Sequence, residues 1–220
     1  MRKNKVWFIT GLLATLGFIA LTLMVMTKST LLVNFDATIQ HITTPMITTP
    51  TTTIFSSIAF FGSPMINILL IFIVAGGLWL SHERLTACWV ICVQLGGSAL
   101  AYVIKNVVHR ARPQFQVIKD TGFSFPSGHT FTTAILVLTI LFVLIPYVKD
   151  AEIQLIITLL SLIWFGLVAF SRIYLRAHWP SDVLGSTLLS LSWWEISRLL
   201  YFYFLKLQTH FPKLKMKGVN

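Results

Sequence analysis

The chain has 220 residues, of which 11% are charged and 55% are hydrophobic. A typical soluble domain carries about 25% charged residues, so a globule of this composition could not cover its surface with polar side chains. The composition therefore argues strongly against a soluble enzyme, and it excludes a secreted disulfide scaffold and a disordered tail. The hydrophobic residues occur in long blocks, which is typical of a membrane protein.

Six of these blocks predict transmembrane helices, because a helix needs about 20 apolar residues to cross about 30 Å of hydrocarbon. The predicted spans, in chain order, are Trp7–Met26, Met65–Leu80, Leu85–Ile104, Thr130–Tyr147, Ile153–Phe170 and Val183–Leu205. The first block is longer than the apolar core of a secretion signal, so we expect it to remain as a membrane anchor. The predicted fold class is all-α, a polytopic membrane helical bundle that forms one integral-membrane domain over residues 1–220.

The segment between the first two spans predicts a short amphipathic helix followed by a loop. Apolar residues recur there at helical spacing, at Leu32, Phe35, Ile39 and Ile42. This spacing is typical of a short helix that lies in the outer membrane interface. The tract Thr43–Thr53 is polar and is broken by Pro45 and Pro50, so it predicts a connecting loop.

An even number of spans places both termini on the same side of the membrane. Ten of the 17 basic residues then lie on the side of the termini, and seven lie on the other side. The ten include Arg2, Lys3, Lys213, Lys215 and Lys217. Because basic residues favour the cytoplasmic side, we predict a multi-pass protein of the cell membrane with cytoplasmic termini. The basic excess fits contact with anionic membrane lipids, and no basic module outside the spans predicts a nucleic-acid partner.

Three polar segments interrupt the apolar blocks, and all three fall on the predicted extracytoplasmic side. They are Lys105–Pro113 (KNVVHRARP), Pro126–His129 (PSGH) and Ser171–Asp182 (SRIYLRAHWPSD). Together they contain the residue types of a phosphate-transfer site that does not need a metal ion.

Cations and a helix start provide the anion-binding part of this predicted site. Lys105, Arg112 and Arg172 can hold a phosphoryl group and spread the negative charge of its transition state. Ser127 and Gly128 stand at the predicted start of a helix, where free backbone N–H groups and the helix dipole bind anions. Glycine also lets the backbone approach a ligand closely.

Two histidines and a carboxylate provide the reactive part. His178 and Asp182 lie one helical turn apart, so the carboxylate can hold one imidazole nitrogen and leave the other free. His129 provides a second imidazole, which can protonate a leaving oxygen. Each residue also has an ordinary structural interpretation, since Asp182 could be a helix-end acid and Lys105 an interfacial anchor. Eight such positions together favour the functional interpretation.

The spacing of these segments resembles the three-part signature of the type 2 phosphatidic acid phosphatase, or lipid phosphate phosphatase, superfamily. The matching residues are Lys105-x6-Arg112-Pro113, Pro126-Ser127-Gly128-His129 and Ser171-Arg172-x5-His178-x3-Asp182. Within this superfamily, the short chain and small loops look most like bacterial phosphatidylglycerophosphatases and undecaprenyl diphosphate phosphatases.

The resemblance implies a role for each matching residue. His178 would be the nucleophile that forms a phosphohistidine, Asp182 would orient it, and His129 would protonate the leaving alcohol. The phosphoryl oxygens would be bound by Lys105, Arg112, Ser127, Gly128 and Arg172. The resemblance implies no metal and no other cofactor.

We expect the substrate to be a membrane lipid phosphate, because almost no chain lies outside the predicted spans. Phosphatidylglycerophosphate is the preferred candidate, since the signature provides one phosphoryl site and a diphosphate needs a second anion site. An undecaprenyl diphosphate phosphatase and a lipid phosphotransferase are alternatives. A non-catalytic anion transporter with a basic outer vestibule is an alternative from another class, but it leaves the two histidines and their carboxylate unexplained.

Four further basic residues lie in or between these segments, outside the signature. We expect His109, Arg110 and Lys119 to be solvated loop charges, whereas Arg176 is a candidate contact for a lipid headgroup or a second phosphate. The sequence leaves the oligomeric state open.

Overall fold

Within residues 5–210, the computed structural model is built from eight α-helices, which confirms the predicted all-α class. The helices are α1 (Lys5–Met26), α2 (Thr30–Thr43), α3 (Thr49–Phe61), α4 (Pro64–Leu80), α5 (Arg84–Val108), α6 (Gly128–Thr139), α7 (Ala151–Tyr174) and α8 (Pro180–His210). A π-helical segment (Ile140–Leu144) and a 3-10 turn (Ile145–Tyr147) continue α6. The predicted orientation depends partly on five basic residues that lie outside the described residues, namely Arg2, Lys3, Lys213, Lys215 and Lys217.

By length and apolar composition, four helical segments among the described residues could each cross a membrane. They are Lys5–Met26, Arg84–Val108, Gly128–Tyr147 and Ala151–Tyr174. Helices α3 and α4 meet at a bend of 43° and add a fifth span if they form one broken helix. The six-span count therefore stays a prediction, and its sixth member would be α8.

Helix α8 is less apolar than the others because much of its surface faces other helices instead of lipid. Ser190, Ser192, Glu195 and Arg198 are all buried in the bundle. The Arg198 guanidinium donates two hydrogen bonds to the Glu195 carboxylate, each 2.7 Å long. A buried helix can carry such paired polar groups without exposing them to hydrocarbon.

The outer helices carry a belt of exposed apolar side chains. On α1 and α7 this belt includes Leu12, Leu16, Ile19, Leu159 and Ile163. A soluble protein rarely exposes so large a continuous apolar surface. The belt therefore indicates a membrane protein.

Helices α1 and α8 pack antiparallel along the bundle. Thr15 hydrogen-bonds Ser192 at 2.6 Å, and Leu21 lies beside Gly185, where an added Cβ would be 3.4 Å from the leucine side chain. At the far end of the bundle, Thr86 at the start of α5 hydrogen-bonds Tyr201 near the end of α8. The start of α1 and the end of α8 thus lie at one end of the bundle. Helices α5 and α7 end, and α6 and α8 begin, at the other.

The prediction of a loop over Thr43–Thr53 is wrong in its second half, because α3 begins at Thr49. Pro50 lies in the first turn of α3, where its missing N–H leaves no hydrogen bond unmade. Thr48 and Thr51 form a reciprocal capping box at this helix start. The sequence therefore contains a signal for a helix start at Thr48–Thr51, although the two prolines of this tract also fit a connecting loop.

The predicted short helix around Leu32 is present as α2, but its buried face differs from the predicted apolar stripe. Leu32, Asp36 and Thr43 are buried, whereas Phe35 and Ile42 are exposed. The helix is turned so that a carboxylate points into the protein. Its position at the membrane interface stays a prediction.

Candidate active site

The three polar segments predicted from the sequence meet at the end of the bundle where α6 and α8 begin. The loop after α5 contacts the α7–α8 turn, since the Trp179 indole N–H donates to the Ala111 carbonyl at 2.9 Å. The segment before α6 contacts the same turn through His178 and Ser124. The fold therefore brings residues from all three segments into one cluster.

His178 is buried and held by both of its ring nitrogens. Nδ1 lies 2.7 Å from the Ser124 carbonyl oxygen and 3.5 Å from an Asp182 carboxylate oxygen. A carbonyl oxygen can only accept, so Nδ1 carries the proton and Nε2 keeps its lone pair. Nε2 lies 3.2 Å from an Arg112 guanidinium nitrogen, which donates to it.

Burial lowers the pKa of His178 from 6.5 to about 4, and the opposing effect of the Asp182 carboxylate only partly offsets this. The Arg172 and Arg112 guanidinium groups lower the pKa further. His178 is therefore neutral at pH 7, with an unprotonated Nε2. This is the form that a histidine nucleophile requires.

Arg112 and Arg172 converge on one carboxylate. A single Asp120 oxygen accepts from Arg112 at 3.1 Å and from Arg172 at 2.8 Å. The same Arg112 nitrogen contacts Asp120 and Nε2 of His178, so one guanidinium nitrogen links the carboxylate to the unprotonated imidazole nitrogen. Backbone carbonyls of Thr121, Gly122 and Ala177 fix the rest of the Arg112 guanidinium. Two cations therefore share one anion beside His178.

Lys105 and His129 lie in the same electrostatic cluster. Lys105 lies within electrostatic range of Arg112, Arg172, Asp120 and Asp182. His129, at the first turn of α6, lies within range of Arg172, His178, Lys105 and Arg112. Within residues 5–210, the Lys105 ammonium forms no hydrogen bond to another residue, so it is available to a bound anion.

Ser127 and Gly128 form the start of α6, as predicted. The buried Ser127 hydroxyl accepts from the backbone N–H and the hydroxyl of Thr130, which leaves its own proton free to donate. A Cβ placed on Gly128 would meet only Pro64, at 3.8 Å. Packing against the protein therefore does not require glycine at this position.

Asp182 and Arg110 form a pair that the sequence did not predict. Arg110 was expected to be a solvated loop charge, but only 15% of its side chain is exposed. Its guanidinium lies 2.5 Å from Asp182 and 2.6 Å from Asp36, and both carboxylates are buried. The expectation for Arg110 is therefore wrong, since its charge is shared by two buried acids instead of solvent.

Arg176 lies at the edge of the cluster. Its backbone has a left-handed φ of 51°, and its guanidinium donates to the Thr44 hydroxyl at 2.7 Å. This contact ties the α7–α8 turn to the segment after α2. A contact of Arg176 with a headgroup or a second phosphate stays a prediction.

Three participants in this cluster were missed in the sequence: Ser124, Asp120 and Asp36. Ser124 acts through its backbone carbonyl, for which no sequence signal exists. For the two acids, the scarcity of acidic residues is a sequence signal that could have identified them. The chain has only seven acidic residues, and Asp36 is the only one before Glu83. Within the described range, no group of three or more histidine, cysteine or acidic side chains is arranged to hold a metal ion.

Comparison with known proteins relates this cluster to a family of phosphatases. A protein from Escherichia coli K12 called phosphatidylglycerophosphatase B is 37% identical over 86 residues, which cover 39% of this chain and 31% of that protein. The Bacillus subtilis protein of the same name is 26% identical over 140 residues, covering 63% of this chain and 69% of that protein. The chain thus matches about a third of the length of the E. coli relative.

The whole fold also has a solved counterpart. The crystal structure of a transmembrane PAP2-type phosphatidylglycerolphosphate phosphatase from B. subtilis matches 95% of this chain and 99% of its own, with a TM-score of 0.78. At 22% identity, this likeness establishes a shared fold. The sequence pattern that defines the PAP2 superfamily matches residues 84–206, which include every signature residue of the cluster. The resemblance noted in the sequence is confirmed, and this chain belongs to the PAP2 superfamily.

Proposed function

We propose that the protein is a membrane lipid phosphatase that works without a metal ion through a phosphohistidine on His178. The observation that carries this proposal is the neutral His178, whose unprotonated Nε2 faces a guanidinium that also binds a carboxylate. A phosphoryl group that replaced this carboxylate would lie between the cations and within reach of the imidazole. The superfamily membership and the names of the relatives support the same class of reaction.

In the first proposed step, Nε2 of His178 attacks phosphorus and the bond from phosphorus to the leaving oxygen breaks. Arg112, Arg172, Lys105 and the N–H groups at the start of α6 stabilise the charge on the phosphoryl oxygens. His129 gives its proton to the leaving oxygen, so that the lipid departs as an alcohol.

In the second step, water attacks the phosphohistidine. His129 is now neutral and takes a proton from this water, and the bond between phosphorus and Nε2 breaks. Inorganic phosphate leaves, and both histidines return to their starting protonation states. The Ser124 carbonyl keeps the proton on Nδ1 at the start of each cycle, because it accepts at 2.7 Å.

The proposed orientation places this site on the extracytoplasmic side of the cell membrane, with six spans and both termini in the cytoplasm. The antiparallel packing of α1 and α8 supports it, because the start of α1 lies at the end of the bundle opposite the site. The distribution of basic residues in the sequence, ten against seven, gives the direction.

For the substrate, we propose phosphatidylglycerophosphate ahead of undecaprenyl diphosphate. The cluster offers one compact phosphoryl site, formed by Arg112, Arg172 and Lys105. Arg176 is the one arginine in the turn between α7 and α8, and its guanidinium already donates to the Thr44 hydroxyl. The names of the relatives support the same order of preference.

The test is kcat/KM for both lipids in matched detergent micelles, with and without excess EDTA, for the native protein and for Arg176→Ala. We expect a monophosphate preference that neither EDTA nor the substitution changes. Lys119→Ala, in an exposed part of the loop, is the matched control. Activity that EDTA removes and a divalent ion restores would overturn the metal-free mechanism. A diphosphate preference that Arg176→Ala abolishes would assign Arg176 to a second phosphate.

The Asp120 carboxylate provides a separate prediction, because it occupies the two guanidinium groups that we assign to the phosphoryl group. Asp120→Asn keeps the size of the side chain and removes its charge, so vanadate should inhibit about tenfold more tightly, which corresponds to about 1.4 kcal/mol. Asp150→Asn, at the exposed start of α7, is the control for the same chemical change. Weaker vanadate inhibition in Asp120→Asn would contradict the prediction and would mean that Asp120 mainly holds the arginines in place.

A further inference from the structure

A buried polar network lies behind His178, on the side away from the phosphate-binding cations. Asp36 comes from α2, Arg110 from the loop after α5, and Ser181 and Asp182 from the start of α8. One guanidinium nitrogen of Arg110 contacts Asp182 at 2.5 Å and the Ser181 hydroxyl at 2.7 Å, and the other contacts Asp36 at 2.6 Å. Asp36 and Asp182 are 1% and 0% exposed.

Asp36 is fixed from several directions. One carboxylate oxygen accepts from the Ser181 backbone N–H at 2.9 Å, and the other accepts from the Ser181 hydroxyl at 2.7 Å. The carboxylate thus satisfies an N–H group at the start of α8, where the helix dipole favours a negative charge. This carboxylate from α2 therefore anchors the first turn of the helix that carries Asp182.

The same network sets the position of Asp182. One Asp182 oxygen faces Arg110, and the other accepts from the Trp179 backbone N–H at 2.9 Å and lies 3.5 Å from Nδ1 of His178. A carboxylate bound on both oxygens cannot rotate without breaking a charge-assisted hydrogen bond. Arg110 therefore restricts Asp182 to one orientation, the one in which it faces His178.

We infer that Arg110 and Asp36 are positioning residues that hold Asp182, and through it His178, in the geometry of attack. This inference rests on the proposed function and deepens it. It assigns a catalytic consequence to α2, which lies outside residues 84–206 that match the superfamily pattern. Neither residue is placed at the phosphoryl group, so their effect falls on the reaction step and not on anion binding.

Arg110 also balances the charge of Asp182 beside the imidazole. The charged or titratable groups that act on His178 are Asp182 from α8, Arg172 from α7, Arg112 from the loop, and His129 from α6. Removing Arg110 leaves the Asp182 charge without its cationic partner, which favours the imidazolium form. The pKa of His178 should then rise from about 4, whereas removing the Asp36 charge should not raise it.

The experiment compares Arg110→Gln, Asp36→Asn and the double variant with the native protein in detergent micelles. Either single variant should lower kcat about 10- to 100-fold, with less than about threefold change in vanadate inhibition. A higher pKa of His178 in Arg110→Gln should move the acid limb of the pH profile of kcat to higher pH. Arg110→Lys keeps the charge but loses the two-sided contact, so it should return this limb toward its native position more fully than it restores kcat. Lys119→Gln and Asp150→Asn are the matched controls.

The double variant tests whether a low kcat comes from a misfolded protein. Arg110→Gln alone leaves two buried carboxylates without their shared cation, which destabilises a protein strongly. The double variant removes Asp36 and Arg110 together, so its melting temperature should lie closer to that of the native protein while its kcat stays low. Native kcat in this folded variant would overturn the inference.

A second measurement separates this inference from the proposed function. The titration of His178 can be followed by NMR of labelled histidine, with the signal assigned by its loss in His178→Ala. We expect a higher pKa in Arg110→Gln than in the native protein and no increase in Asp36→Asn. An unchanged titration in Arg110→Gln would overturn the inference even if the lipid is hydrolysed. If no lipid phosphate is hydrolysed but the titration shifts, the proposed function fails and the coupling of Arg110 to His178 stands.

Discussion

Replacing His178 with alanine should abolish turnover while vanadate still binds. The substitution removes the nitrogen that attacks phosphorus, whereas Arg112 and Arg172 keep their contacts with Asp120 and the neighbouring carbonyls. The expected loss in kcat is about 10³-fold or more, because no neighbouring group can replace a nucleophile on the same path. The measurements are phosphate release and vanadate binding to the purified protein, the latter by displacement of a labelled phosphate analogue.

The control for His178→Ala is His82→Ala, which changes an exposed histidine between α4 and α5 at the opposite end of the bundle. That variant should keep native kcat and native vanadate binding. Residual phosphate release within tenfold of the native rate in His178→Ala would contradict the assignment of the nucleophile. Loss of vanadate binding together with loss of a normal melting transition would show misfolding, and His178→Asn would then take the place of the alanine variant.

Replacing His129 with alanine should impair turnover according to the leaving group. A lipid alkoxide is a poor leaving group and needs a proton in the transition state, so its hydrolysis should fall about 10²- to 10⁴-fold. Nitrophenolate is stable as an anion, so nitrophenyl phosphate should lose much less. The measurement is kcat/KM for alkyl and aryl phosphates with the native protein and with His129→Ala. Equal losses for both classes would contradict the role of His129 as the acid.

The placement of His129 explains why a bound substrate would favour its acid form. Without substrate, burial of the imidazole, followed by the nearby cations Arg172, Lys105 and Arg112, opposes a positive charge on His129. A phosphoryl group brings negative charge into this cluster, which favours the protonated imidazole. Aryl and alkyl substrates should therefore share one binding mode and differ only in the need for this proton.

The sequence predicted the cluster because its residues lie in short motifs at helix ends. His178 and Asp182 lie four positions apart across the start of α8, which begins at Pro180, so their proximity follows from local geometry. The Ser127 cap and the start of α6 at Gly128 follow from cap chemistry and are present as predicted. The convergence of the three motifs came from family resemblance, since no local rule brings Arg112 near His178.

The residues that were missed act over long sequence distances. Asp36 reaches Arg110 and Ser181 because the packing of the helices places the inner face of α2 beside the start of α8. The apolar spacing of α2 gave no reason to bury an acid, so its orientation could not be predicted from periodicity. The usable signal is the scarcity of acidic residues, because Asp36 is the only one in the first 82 positions. An acid near predicted membrane spans requires a partner.

The span prediction shows the same division between local and tertiary information. Apolar length predicted α1, α5, α6 and α7 well, because these helices expose apolar side chains or pack against them. Helix α8 is packed on other helices and therefore carries buried serines and an ion pair. The sequence nevertheless predicted α8 as the span Val183–Leu205, and its crossing of the membrane stays a prediction.

The most direct measurement of the central claim is the capture of the phosphoenzyme. The protein would be mixed briefly with a lipid that carries radiolabelled phosphate, in excess EDTA. The reaction would be quenched in alkali, where phosphohistidine is stable and acyl phosphates are not, and the protein would be digested for peptide mapping. The proposal predicts label on the peptide that contains His178, and no label in His178→Ala. Label on a different residue, or hydrolysis at the native rate with no labelled protein at any quench time, would contradict the account. Loss of all hydrolysis in excess EDTA would contradict it as well.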